Sequence, residues 1–303
     1  MTGNIFKRGK GLYSEWFPEY RLSDEQLKSL QNCLLKMLID FRDICNENGI
    51  GYMVCGATLL GAVRHKGFVP WDDDIDIMML REDYEKLKEV FDREHQRGNL
   101  QEYFIAEPLR SEDYFFKIPR IYNRNTEYYA INYMGNPRYN MVCLDIFPAE
   151  KIPQNRLLRS LRSIVYDFAF YASSFCLDYV FPSPVIEEKC RENEEVRRFY
   201  RLRKGLGSVF AHLGGIRFYL KICDRLARYS GESGLAGLPS GIAYSREIFD
   251  RSLFTETCEG DFCGYTVSIP KDYDRYLTNL YGDYMKIPPK EKQEIHVAYK
   301  IRV

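Results

Sequence analysis

Residues 72–77 read Asp-Asp-Asp-Ile-Asp-Ile, and this run constrains the fold more than any other part of the chain. In a strand, side chains two apart share a face, so a strand over residues 74–79 projects Asp74 and Asp76 together and turns Ile75 and Ile77 the other way. The isoleucines demand a core behind the strand, and the carboxylates demand a cleft in front of it. Two carboxylates side by side repel, which is costly unless a cation lies between them. Oxygen donors alone suit Mg²⁺ or Mn²⁺, ions that complete their shells with water and substrate phosphates. A solvated acidic turn would not need isoleucines alternating with its charges. An EF-hand loop is excluded, because the sixth position counted from Asp72 is Ile77 where glycine is required.

Three further stretches bear on the same site. Residues 54–61, Val-Cys-Gly-Ala-Thr-Leu-Leu-Gly, read as a strand, a small-residue turn and a helix start. Such a turn at Gly56, Ala57 and Thr58 lets backbone amides and a helix N-terminus approach a phosphate. Asp145 alternates with Leu144 and Ile146 in a strand predicted over residues 141–147. Its apolar neighbours would strand the charge unless it faces a cation or a base site. Arg64, His65 and Lys66, just ahead of the acidic strand, can hold nucleotide phosphates or simply complement the end of an exposed helix.

Lys and Arg number 43, as do Asp and Glu, so the formal net charge is zero. A broad nucleic-acid face, which needs one sign to dominate, is disfavoured. The nine cysteines form no CxxC pair and no metal-finger spacing, which fits a reducing compartment. The N-terminal residues lack an apolar signal core. The most apolar long run, residues 164–181, is interrupted by Asp167 and Asp178 and leaves no transmembrane segment. The expected location is the cytoplasm, with the inner face of the membrane left open.

At 303 residues the chain is about twice the rough 150-residue prior for one domain. Residues 1–21 read as an irregular lead-in. Ser23 and Gln26 form a capping-box pattern, followed by Leu27, Leu30, Leu34, Leu38, Phe41 and Cys45 at helical spacing and an Asn48-Gly49 stop. Strands are predicted over residues 50–55, 103–106, 117–122 and 127–133, with a helix over 82–95. Residues 154–230 read as mostly helical with arginine-rich faces, among them Arg217, Lys221, Arg225 and Arg228 at helical spacing. That pattern suits a solvated face or peripheral contact with anionic lipid.

The run from Gly56 to Ile77, GATLLGAVRHKGFVPWDDDIDI, resembles the signature of the LicD family of phosphotransferases within the nucleotidyltransferase superfamily. Leu144-Asp145-Ile146-Phe147-Pro148 resembles its second motif. Ile269-Pro270, Asp272-Tyr273, Tyr276-Leu277 and Tyr281-Gly282-Asp283-Tyr284 resemble its closing segment. One departure is Gly56-Ala57, where the superfamily commonly has Gly-Gly or Gly-Ser. The resemblance implies an α/β (α+β) fold: a nucleotidyltransferase-like mixed-sheet core over residues 22–150, flanking helices, and a mostly helical C-terminal region over 151–303 whose last part, 265–296, packs back on the core.

It also implies a chemistry. A phosphorylated alcohol, phosphocholine in the family and ribitol phosphate in the related fukutin-related proteins, moves from a CDP-alcohol donor to a sugar hydroxyl of a cell-surface or lipid-linked glycan, and CMP leaves. On that reading Asp74, Asp76 and Asp145 are the metal-binding and catalytic residues for Mg²⁺ or Mn²⁺, with Asp145 either a ligand or a general base. Gly56, Ala57, Thr58, Arg64, His65 and Lys66 are the phosphate-binding candidates. Trp71, Asp73, Tyr281, Asp283 and His296 are the alcohol- and acceptor-binding ones. Choline's quaternary ammonium needs aromatic faces, for which Trp71 and the tyrosines 122, 128, 129, 133 and 139 are candidates. Two other readings share the same carboxylates: a nucleotidyltransferase releasing pyrophosphate from an NTP, and a protein that holds a divalent ion without turnover.

Overall fold

In the computed structural model, residues 10–131, 136–290, 293, 295 and 297–303 are described. Their helices are α1 (Lys10–Trp16), α2 (Asp24–Glu47), α3 (Gly56–Arg64), α4 (Arg81–Gln96), α5 (Arg156–Val180), α6 (Pro184–Glu192), α7 (Glu194–Leu213), α8 (Gly215–Ala227) and α9 (Tyr273–Tyr281). The strands are β1 (Met53–Val54), β2 (Asp76–Leu80), β3 (Tyr103–Ala106), β4 (Arg120–Asn123), β5 (Glu127–Ala130), β6 (Cys143–Lys151), β7 (Leu235–Gly237), β8 (Ile248–Asp250), β9 (Thr257–Phe262), β10 (Tyr265–Pro270) and β11 (Ala298–Arg302).

The main sheet runs β1-β2-β6-β4-β3, with β7 and β8 continuing from the far end of β6. It is mixed: β2 and β6 are parallel, and the other pairings are antiparallel. The expected α/β class holds. Ser23 caps α2 with the reciprocal bonds of a capping box, its Oγ accepting from Gln26 N–H and Gln26 Oε1 accepting from Ser23 N–H. Leu30, Leu34, Leu38, Phe41 and Cys45 then bury one stripe of that helix beneath the sheet, in one cluster with Ile75, Ile77, Leu144 and Ile146. Hairpin β9–β10 and helix α9 join this cluster through Phe262, Val267, Ile269, Tyr276 and Leu277.

Helices α5 to α8 form a second layer, cored by Tyr166, Ala169, Cys176, Ile216, Leu220 and Cys223. The carboxylates that interrupt its apolar run both have partners. Asp178 accepts from Arg203 Nε at 2.6 Å inside the layer, and Asp167 accepts from Ser163 Oγ and Tyr244 N–H. Among the described residues no helix is long and apolar enough to cross a membrane. All nine cysteines are free.

Several predicted boundaries shift, each for a local reason. The lead-in is helical from Lys10, because Trp16 and Phe17 dock on Val185, Ile186, Val196 and Tyr200 of the helical layer. The strand expected over 50–55 is paired only at Met53 and Val54. The acidic strand is paired from Asp76, so Asp74 precedes its ladder. Strand β6 runs through Pro148 to Lys151, past the expected end. Asp145 N–H faces β2, donating to Ile75 O, whereas Ile146 N–H faces β4, donating to Pro119 O. The amide that Pro148 lacks therefore falls on the β4 side, beyond the end of the β4 ladder, where proline is tolerated.

Candidate active site

Asp76 opens β2, and three contacts fix it. Its carbonyl accepts from Cys55 N–H at 3.0 Å, and its own N–H donates to Thr58 Oγ1 at 2.9 Å. Its carboxylate lies against the start of α3: a Cβ built on Gly56 would sit 2.5 Å from Asp76 Oδ2. Gly56 also has φ +54°, a conformation that disfavours any side chain. Glycine here is a requirement of the close approach. Gly56 N–H points at Tyr276 Oη (3.4 Å), and that hydroxyl donates to Glu247 Oε2 at 2.6 Å. Burial pushes the Glu247 carboxyl up, against the hydrogen bond from Tyr276.

Asp145 pairs in register with Asp76 across the parallel β2–β6 ladder. On its other side, β4 places Arg120 directly opposite. The guanidinium forks onto the carboxylate, Nε to Oδ1 at 2.7 Å and Nη2 to Oδ2 at 3.2 Å, while lying 4.2 Å from the centre of the Phe116 ring. Burial alone would lower the Arg120 pKa, but the Asp145 carboxylate holds it well above its ordinary value. The charge that the apolar neighbours of Asp145 seemed to strand is met by a guanidinium.

Asp74 sits ahead of the ladder and keeps company with its sequence neighbours. Asp72, Asp73 and Asp74 bring carboxylate oxygens within 4.8 Å of one another, and Asp76 and Asp145 fall outside that cluster. The expected trio of Asp74, Asp76 and Asp145 is thus spread along one end of the sheet, with Asp76 drawn to the Gly56 turn and Asp145 to Arg120. Asp73 is buried and accepts from Tyr128 Oη at 2.8 Å. The donors of this corner are all oxygen, the set that fits Mg²⁺ or Mn²⁺.

The other predicted residues scatter more widely. Ala57 is half-buried at the helix start, and the Thr58 side chain is committed to the backbone of Asp76. Arg64 turns to the C-terminal segment, donating from Nη1 to Tyr284 O at 2.6 Å and from Nε to His65 Nε2. Burial, and after it Arg64, lowers the His65 pKa. Lys66 is exposed, with φ +58°. Burial raises the Tyr281 phenol, with the Asp76 and Asp72 carboxylates adding to the effect. Asp283 is exposed, Trp71 packs half-buried against the main core, and His296 and Tyr133 lie outside the described residues.

Tyr122, Tyr128 and Tyr139 line a cavity of about 280 Å³ that also touches Asp73, Asp74 and Asp145, whereas Trp71 and Tyr129 do not. Sequence reasoning missed Arg120, Glu247 and Asn140. For Arg120 a signal existed: an arginine in a predicted strand is the natural complement of an isolated aspartate in another.

Comparison with known proteins adds to this geometry. Residues 49–187, which include the turn, the acidic run, Arg120 and Asp145, match the family model described as LicD/FKTN/FKRP, nucleotidyltransferase domain. The chain is 27% identical over 276 residues to the lipopolysaccharide cholinephosphotransferase LicD of Haemophilus influenzae, covering 89% of this chain and 95% of that protein. It is 37% identical over 94 residues to an uncharacterized protein of Rickettsia prowazekii, and 35% identical over 79 residues to one of Rickettsia typhi. Those two matches span 35% and 24% of the rickettsial proteins.

Proposed function

The chain belongs to the LicD family and is a phosphotransferase, and we propose that it moves phosphocholine from CDP-choline to a sugar hydroxyl of a cell-surface glycan, with release of CMP. The glycan class is lipopolysaccharide, teichoic acid or capsule. One observation carries the reading: Asp76 and Asp145 stand in register on adjacent parallel strands, with the Gly56 turn and the N-terminus of α3 packed against Asp76. That places acidic groups and backbone N–H donors at one end of one sheet, the combination that a diphosphate ester requires.

In the reaction, an acceptor hydroxyl attacks the choline-bearing phosphorus, a new P–O bond forms, and the P–O bond to the CMP phosphate breaks. Asp74 and Asp76, with Asp145 beside them, are the residues that would hold Mg²⁺ or Mn²⁺, and the bound ion supplies positive charge to the diphosphate. The Gly56 turn and the first amides of α3 steady the anionic leaving group. Arg120 fixes the orientation of Asp145, whose oxygens keep lone pairs beyond the two that the guanidinium occupies. Asp145 can therefore accept the proton of the attacking hydroxyl.

The acceptor side is read as membrane-associated. Leu157, Leu161, Ile164 and Phe168 recur at i, i+4, i+7 and i+11 on α5 and are 83, 60, 68 and 56% exposed. Residues 154–230 carry 14 Lys and Arg against 8 Asp and Glu, a surplus of six in a chain of zero net charge. An apolar stripe within a cationic layer fits an anionic phospholipid surface, where lipid-linked glycans are presented.

The direct test incubates the protein with Mg²⁺ and CDP-choline, CDP-ribitol, CDP-glycerol or CDP-ethanolamine and follows CMP. CMP should form from CDP-choline, chelation should stop it, and Asp76→Asn should lower the rate about 10²–10³-fold while the fold persists. Full activity in Asp76→Asn would end the carboxylate reading. Pyrophosphate release from CTP would favour the nucleotidyltransferase alternative, and ion binding with no turnover the non-catalytic one.

A further inference from the structure

The cavity beside Asp74 and Asp145 has aliphatic, aromatic and polar walls, the aliphatic part including Leu30, Leu34, Val142 and Val297. Tyr122, Tyr128 and Tyr139 are among its aromatic members; Tyr122 and Tyr139 lie 5.5 Å apart between centroids, and Tyr122 stacks on Phe104 on another side. Phe116 also borders the cavity, but its ring is already engaged by the Arg120 guanidinium. The polar members are Asp73, Asp74, Asp145, Arg120 and Asn140. Tyr122 and Asn140 are 0 and 6% exposed, yet among the described residues neither the Tyr122 hydroxyl proton nor Asn140 Nδ2 has an acceptor. Buried polar atoms are rarely left unsatisfied, and two on one cavity call for a guest that carries acceptors.

The chemistry of the walls narrows that guest. A volume of about 280 Å³ lies at the lower edge of small-molecule pockets, roughly 300 Å³ upward, so it admits a head group and not a whole nucleoside diphosphate. Aromatic residues beside carboxylates favour a cation that needs no hydrogen bond over an uncharged polyol. The two orphan donors, with Arg120 near them, select an anion on the same molecule. Resting on the phosphocholine reading, we propose that this cavity binds the phosphocholine moiety as a zwitterion. The trimethylammonium lies among the Tyr122, Tyr128 and Tyr139 rings in the field of Asp73 and Asp74, and the phosphate oxygens accept from Tyr122 Oη and Asn140 Nδ2. Tyr128 keeps its ring in place through the hydrogen bond it donates to Asp73, and Tyr139 through the one it donates to Glu112 O.

The test is calorimetric titration of the full chain with phosphocholine, choline, phosphoethanolamine and glycerol phosphate, alongside kcat and KM with CDP-choline. Phosphocholine should bind more tightly than the other three. Tyr139→Ala should weaken it about tenfold, and Tyr139→Phe, which keeps the ring but loses the bond to Glu112 O, clearly less. Tyr122→Phe removes an unsatisfied hydroxyl, so it should leave the melting temperature unchanged or raised while weakening phosphocholine and raising KM more than it lowers kcat. Asn140→Ala should act in the same direction. If CDP-choline is turned over but these variants bind phosphocholine as wild type does, the cavity assignment is wrong and the phosphocholine reading stands. If CDP-glycerol or CDP-ribitol is the donor and phosphocholine does not bind, the phosphocholine reading itself fails.

Discussion

Replacing Arg120 with leucine should destabilise the protein by about 3 kcal/mol, the lower part of the range for breaking a buried ion pair. The lower part applies because both partners keep a little solvent, at 19 and 15% side-chain exposure. The loss comes from leaving the Asp145 carboxylate without the two charge-assisted bonds of the fork. Asp145→Asn leaves the Arg120 guanidinium without its counter-charge in turn, but the amide oxygen still accepts one of its bonds and the Phe116 ring lies against it, so this variant is milder, about 2 kcal/mol. The double variant should recover about 2 kcal/mol of the summed cost as coupling energy. Urea denaturation of the four proteins at pH 7 measures the cycle, and a coupling below about 0.5 kcal/mol would refute the reasoning. Activity separates the structural role from the chemical one. Asp145→Asn, the less destabilised single variant, should lose CMP release about 10²–10³-fold well below its melting temperature. If it keeps the wild-type kcat there, Asp145 is only the counterion of Arg120.

Gly56→Ala forces a side chain into a left-handed conformation and a methyl to within 2.5 Å of Asp76 Oδ2; it should cost about 1–2 kcal/mol and lower kcat further than that loss of folded protein explains. Glu247 gives a pH signature, since its folded pKa is raised above the ordinary 4.5. A raised carboxyl contributes its full stability below about pH 4.5 and loses it as pH rises through the folded value, so the melting temperature of Glu247→Gln relative to wild type should climb from pH 4.5 to 7.5. A flat difference would contradict the buried-carboxyl account. For the helical layer, the protein should co-sediment with vesicles rich in phosphatidylglycerol and not with pure phosphatidylcholine. Ile164→Asp, on a residue 68% exposed, should abolish that binding without affecting hydrolysis of soluble CDP-choline.

What the sequence disclosed about the fold was whatever a few adjacent residues express. The capping box at Ser23 and Gln26 acts within one helical turn, and the structure contains it. The 154–230 stretch reads as mostly helical, and α5 to α8 occupy most of it. The extent of β6 could not be read this way. Pro148 looks like a strand terminator until it is known that β4 begins pairing at Arg120 and leaves that side of β6 open. A ladder's end belongs to the neighbouring strand as much as to the strand itself.

The same distinction divides the site. Asp74, Asp76 and Gly56 were legible because alternation and small-residue turns are local patterns. Their partners were not, because the contacts join residues 25 apart for Arg120 and Asp145, 55 for Tyr128 and Asp73, and 220 for Gly56 and Tyr276. The local argument about Asp145 was nevertheless sound physics: a carboxylate between Leu144 and Ile146 needs a cation or a base site to face. It left that choice open, and the fold supplies the Arg120 guanidinium. That answer changes what the aspartate is for. A carboxylate whose neutralising partner is built into the next strand does not need a metal ion in order to fold, so its place beside Asp76 is set before any substrate or ion arrives. Preorganisation of this kind lets one end of a sheet carry several acidic groups without self-repulsion unfolding it.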